Sequence, residues 1–167
     1  MAPRRDKRVP SSALPTSSDR KVPKKLLGVV PADEDSTVID QKPAWGFALL
    51  DRDDNHPWSM WPADRDGLMA LLAMLQEMER LTWREVRDQM TGGHRRRGPK
   101  HKSIPVDHII PEAQARLAEL DLDDFPELFR FRHGNKGRLW GVFVGGHHVF
   151  YPVWWDPEHK VCPSKDK

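Results

Sequence analysis

The sequence predicts an α+β protein: a four-stranded, mostly antiparallel sheet with helices on one face, in the order strand, helix, helix, short helix, three strands. Three observations lead there. Apolar residues recur at helical spacing between residues 66 and 81, period-two alternation begins at Leu128, and glycine-rich turns separate the last strands. Hairpin-joined strands run antiparallel, and a sheet with one apolar face buries it most economically against helices.

Each element has its own local cause. WGFALL, residues 45 to 50, is a short aromatic and apolar run ending in the turn-rich DRDDNHP, which suits a first strand. From Asp66 to Leu81, Leu68, Leu71, Leu72, Leu75, Met78 and Leu81 form an apolar stripe, while Glu77, Glu79 and Arg80 lie off it. Thr82 followed by Glu85 is a capping-box spacing that starts a second helix reaching about Met90, where Gly92 and Gly93 stop it. Pro111 opens a third helical stretch with Ala115, Leu117, Ala118 and Leu120 as apolar contacts. In the strand from Leu128, the side chains of Leu128, Arg130 and Arg132 point one way and those of Phe129 and Phe131 the other, with the phenylalanines expected inward. RLWGVFV (138–144) and the stretch from His147 to Trp155 follow, joined through Gly145-Gly146. Of Trp140, Trp154 and Trp155, two are expected in the core.

Residues 1–41 differ in kind. They are rich in proline, serine and basic residues and lack any aromatic side chain, so they cannot bury enough apolar surface to offset ordering entropy. The expectation is a disordered basic tail followed by one folded domain over 42–167. The 167 residues suit a single domain, and the one cysteine, Cys162, excludes a disulfide framework or a four-thiolate zinc site. No apolar run approaches the roughly 20 residues of a membrane span, and no apolar segment follows the charged start. A soluble, cytoplasmic protein with no membrane association is expected.

The formal net charge of +2 hides sorting by segment: +5 over residues 84–102, −6 over 103–128 and +4 over 129–167. A polyanion would be attracted to one part of such a molecule and repelled by another. Arg130 and Arg132 share a strand face, and Arg138 lies on the next strand. Guanidiniums gathered on one sheet face repel one another unless an anion or nearby acids sit among them.

The order of elements resembles that of the RelE/ParE toxin superfamily of bacterial toxin–antitoxin systems. The segment ELFRFRHGNKGRLWGVFVGGHHVFYPVWWDPEHK is similar to that family's closing meander, in which an arginine-bearing strand, a hairpin, a second arginine and a histidine-containing or basic turn come in succession. The resemblance spans about residues 44 to 162, and RLWG…WWDPEHKVCPSK resembles a divergent bacterial and phage subgroup. It implies the toxin of a type II pair, a metal-independent endoribonuclease on ribosome-associated messenger RNA, held in check by a cognate antitoxin. No cofactor is implied. In that chemistry the 2′-hydroxyl attacks the adjacent phosphate while arginines and lysines stabilise the added charge. Arg132 and Arg138 match the family's arginines. Tyr151 or His159 would move protons, His147 and His148 being further candidates, and Lys160 would add charge. Arg130, Lys136, Arg95, Arg96 and Arg97 are the accompanying RNA-binding candidates. The ParE branch instead inhibits gyrase by binding it, so a non-catalytic binding module is the rival expectation.

A second rival begins at VDHIIP (106–111), which resembles the first histidine segment of HNH metal nucleases. That motif needs an asparagine and a second histidine on a following helix, whereas the next asparagine, Asn135, falls in a hairpin turn. Asp107 and His108 are instead expected to lead into the helix at Pro111. Adjacent His147 and His148 point to opposite faces of a strand and cannot chelate together. Phosphate-cradling glycine loops and Gly-x-Ser-x-Gly elbows are absent from the sequence.

Overall fold

The structure is a computed structural model that describes residues 36–53, 55–59, 64–92, 98–144 and 148–163. Its elements are α1 (Ser36–Ile39), β1 (Ala44–Trp45), α2 (Arg65–Met78), α3 (Trp83–Asp88), β2 (Lys102–Pro105), α4 (Pro111–Glu119), β3 (Glu127–His133), β4 (Gly137–Phe143) and β5 (Val149–Asp156). The class is α+β, as the sequence predicts. The sheet, however, has five strands in the order β1-β5-β4-β3-β2, and it is mixed, because β1 pairs parallel with β5 while the other pairs are antiparallel.

The extra strand is β2. Only Ile104 of its four residues is buried, so it carries no alternating pattern to read. It forms because β3 offers an edge, pairing Lys102 with Arg130 and Ile104 with Leu128. The first strand is shorter than WGFALL suggested. After Trp45 one further bond, from Gly46 N–H to the Phe150 carbonyl at 2.9 Å, continues the pairing, and Phe47 then turns outward to 50% exposure.

Helices cover both faces rather than one. On the first face Leu71, Met74, Leu75 and Met78 of α2 and Trp83 and Val86 of α3 pack on Phe129, Phe131, Leu139, Phe150 and Trp155. On the second, Ala113 and Leu117 of α4, with Leu122, Phe125 and Trp58, pack on Leu128, Trp140, Val142, Val153 and Trp154. The charged surface of α4 masked its role in the sequence, since Ala115 and Ala118 are exposed and only two of its positions are buried. The inward turn of Phe129 and Phe131 holds. All three tryptophans, not two, are core: Trp140 and Trp154 are fully buried and Trp155 nearly so.

The buried stripe of α2 is 71, 74, 75, 78, one residue rotated from the expected set. Leu68 and Leu72 lie on its flank, 45% and 42% exposed. Thr82 caps α3 with a complete capping box: its hydroxyl accepts from Glu85 N–H, and the Glu85 carboxylate accepts from Thr82 N–H at 2.7 Å. The helix ends at Gln89, before the glycines. Gly141 sits at a bulge between β4 and β5, where a Cβ would overlap the Tyr151 carbonyl and the Phe150 ring. The Gly145-Gly146 turn lies outside the described residues. No helix among the described residues is long and apolar enough to cross a membrane.

Candidate anion site

Strand pairing assembles the site. Arg132 is the direct cross-strand partner of Arg138, and Arg138 of Asp156. One step along the same face, Arg130 pairs across to Trp140 and, on its other side, to Lys102. Alternation puts Arg130, Arg132, Arg138, Asp156 and exposed Lys102 on the face that carries Leu128, Trp140 and Ile104. Directly opposed like charges destabilise a ladder unless something compensates.

The compensation is not an ion pair. Arg138 is only 4% exposed, yet its two terminal nitrogens donate to carbonyls, Nη1 to Gly137 at 2.7 Å and Nη2 to Asn135 at 3.1 Å. Arg132 Nε donates to the Gly134 carbonyl at 3.1 Å. The adjacent carboxylate, Asp156, is fully buried and already committed: it accepts from the backbone N–H groups of Lys160 at 2.8 Å and Val161 at 2.9 Å. Three buried donors at neighbouring positions, Arg130 Nε, Arg138 Nε and Trp140 Nε1, have no acceptor. Each such orphan costs about 1–3 kcal/mol, and native structures tolerate few of them.

Electrostatics agree with that geometry. Burial, then the charges of Arg130 and Arg132, lower the Arg138 pKa to about 10 against a weaker opposing pull from Asp156; the group stays cationic at neutral pH. Burial also lowers Arg130, with Arg132 contributing. The Arg130 guanidinium stands 5.7 Å from the centroid of the Trp140 ring, a cation–π contact.

His159 completes the cluster. The carboxylate of Asp156 ties down the turn after β5, and His159 sits in it at φ 61°, a left-handed conformation unusual for a residue other than glycine. Its Nε2 lies 3.4 Å from Arg130 Nη1. Burial first, then Arg138 and Arg130, hold the imidazole below its ordinary pKa, so at neutral pH it presents a lone pair rather than a charge.

The remaining candidates scatter. Tyr151 faces Val142, four residues along β4 from Arg138, roughly 13 Å at strand rise, and packs half-buried against the second core. The structure does not bring it to the arginines. Lys136 is exposed and paired with Glu158 at 2.8 Å, and the exposed Lys160 borders the cluster through its turn. His148 stands at the far end of β5, where its carbonyl accepts from Trp83 Nε1 at 2.9 Å. Arg95, Arg96, Arg97 and His147 lie outside the described residues. Asp107 and His108 are exposed on a 3₁₀ turn leading into α4, not on a hairpin.

Three contributors escaped the sequence reading. Lys102 sits beside Arg130 only because β2 pairs with β3. Asp156 holds the His159 turn. His101, 2% exposed, accepts the Arg132 N–H on Nδ1 at 3.1 Å while Nε2 lies 3.2 Å from Gln89 Oε1, so the ring stands in for a strand neighbour just before β2 begins. The run HRRRGPKHK marked the region as basic, but no local signal singles out these roles.

Fold and site together define a small α+β protein with an arginine cluster poor in counter-charge. Comparison with protein-family models, curated proteins and solved structures found no match.

Proposed function

We propose that this chain is a metal-independent endoribonuclease of the toxin type, acting on ribosome-associated messenger RNA and silenced by a cognate antitoxin. The observation that carries the reading is Arg138: a nearly buried guanidinium with an unsatisfied Nε, flanked by Arg130 and Arg132 and lacking a carboxylate partner among the described residues. A phosphodiester oxygen is a fitting acceptor for such donors, and the charge that builds up as the 2′-oxygen attacks phosphorus is what fixed cations stabilise. The resemblance of the meander to the RelE/ParE family adds to this. Arginines on β3, an arginine at the start of β4 and a histidine in the turn after β5 fall in the sequence that the family pattern implies.

In this reading His159 Nε2 takes the 2′-hydroxyl proton. The 2′-oxygen bonds to phosphorus, the bond from phosphorus to the 5′-oxygen breaks, and protonated His159 returns its proton to that leaving oxygen. The products are a 2′,3′-cyclic phosphate and a 5′-hydroxyl. The imidazole is suited to the first step because burial, then the nearby arginines, hold its pKa below the ordinary value.

The distance of Tyr151 from the arginines favours a second reading, a module that binds RNA or a protein such as gyrase without cutting. Arg138→Ala and His159→Ala separate the two. In a nuclease both lower cleavage of ribosome-bound messenger RNA by about 10²-fold or more and restore growth on expression. In a pure binder no cleavage is seen in the parent chain, and loss of Arg138 weakens RNA binding with a smaller salt slope.

A further inference from the structure

The cluster is more strongly cationic than one internal backbone phosphate requires. Arg130, Arg132 and Arg138 converge with Lys102 beside them, and the carboxylate within the cluster, Asp156, is turned to its own backbone. An internal phosphodiester brings one negative charge and two unbridged oxygens. A terminal phosphate monoester brings about 1.5 to 2 negative charges at neutral pH and three strong acceptor oxygens. Two of the guanidiniums, those of Arg130 and Arg138, each keep a buried Nε with no acceptor. Arg138 is buried, and Arg130, Arg132 and His159, close enough to act on one another electrostatically, are half-buried, so a small, compact anion suits the cluster better than a long stretch of backbone.

We infer that the arginine cluster is a binding site for a terminal phosphate monoester, carried on the end of an RNA strand or as free phosphate. This deepens the proposed function by naming the form of phosphate the site prefers, and it rests on that reading only in placing RNA there. A phosphate-ended product of another nuclease has the required chemistry, whereas the 2′,3′-cyclic phosphate left by the cleavage proposed above is still a diester and does not.

The test measures binding of the full chain to a short RNA ending in a 3′-phosphate, the same RNA ending in a 5′-phosphate, the same RNA with hydroxyls at both ends, and inorganic phosphate alone. At least one phosphate-ended strand is expected to bind about tenfold more tightly than the hydroxyl-ended strand. Arg138→Met is expected to remove that preference, and so is Arg132→Ala, which alters a half-exposed residue and keeps the test available should the first variant not fold. Arg84→Ala, which removes an exposed arginine paired with Asp40, is expected to leave the preference intact. Inorganic phosphate competing as well as the phosphate-ended strand identifies free phosphate as the source; weaker competition identifies the strand end. Equal binding of all strands, or a preference that survives both cluster variants, overturns the inference. Cleavage is read separately on an internal diester: cleavage without the preference removes this inference alone, and the preference without cleavage removes the nuclease alone.

Discussion

Two arginines on the same side of the sheet show how differently a buried guanidinium can be compensated. Arg116, on α4, holds Asp51 with Nε to Oδ2 at 3.0 Å and Nη2 to Oδ1 at 2.7 Å, and its Nη1 reaches Glu119 at 2.6 Å. Asp51 also accepts from Trp154 Nε1 at 2.9 Å and Asp53 N–H at 3.0 Å. Hydrogen bonds to Asp51 push Arg116 well above its ordinary pKa. Burial opposes ionisation of Asp51, yet Arg116, Asp53 and Trp154 together hold its carboxyl below the usual value. Arg138 is the more deeply buried of the two arginines and has carbonyls, an orphan nitrogen and two like charges for company. Carboxylate acceptors saturate one guanidinium; the other has no carboxylate partner among the described residues, and in the proposed reading an anion supplies it.

That contrast is broken or sharpened first by stability. Asp51→Ala leaves the Arg116 charge and the Trp154 donor without their partner and is expected to cost about 3–5 kcal/mol in urea unfolding followed by tryptophan fluorescence. Arg138→Met removes a buried charge whose interactions with neighbouring arginines are repulsive, so it is expected to fall within about 1 kcal/mol of the parent while losing phosphate binding. Equal destabilisation by the two variants would make Arg138 structural and erase the distinction.

Acid is expected to separate the regions next. Burial first, then Lys100 and Arg130, lower the His101 pKa to about 4 from 6.5, so the unfolded chain takes up this proton before the folded one. Stability from His101 is therefore present above pH 6.5 and declines as pH falls toward 4, by on the order of 3 kcal/mol. Asp51, whose pKa is lowered from 3.8, keeps its contribution until pH drops below that value. Amide exchange at Arg132 should thus accelerate at a higher pH than indole exchange at Trp154. Simultaneous loss of protection would contradict the order. The smallest effect is expected at the cap: Thr82→Ala should cost about 1 kcal/mol in the same urea experiment and leave phosphate binding unchanged, because α3 covers the opposite face.

Much of the fold was legible because it is local. The capping box at Thr82 and Glu85, the proline opening α4, and the alternation that sends Phe129 and Phe131 one way and Arg130 and Arg132 the other all act over a few residues. The gathering of Arg132 and Arg138 was legible too, since a short hairpin leaves those two positions facing each other. Legibility ended where partners are remote in sequence. Asp51 and Trp154 are 103 residues apart, and Asp51 reaches that tryptophan because its own N–H bonds the Val153 carbonyl at 3.0 Å. Tyr151 entered as a candidate only through the family pattern, and strand rise carries it to the other end of the sheet from the arginines.

By itself the sequence determined which residues alternate, which helices are amphipathic and that basic side chains crowd the closing strands, because side-chain direction follows from backbone period alone. The tertiary structure alone decided that a second helical layer packs on the arginine-bearing face. It also decided that Lys102 joins that face through an edge strand and that Asp156 turns its charge inward to the backbone. Those outcomes depend on which distant segments meet, and hydrogen-bond saturation is a property of the assembled neighbourhood rather than of any stretch of chain.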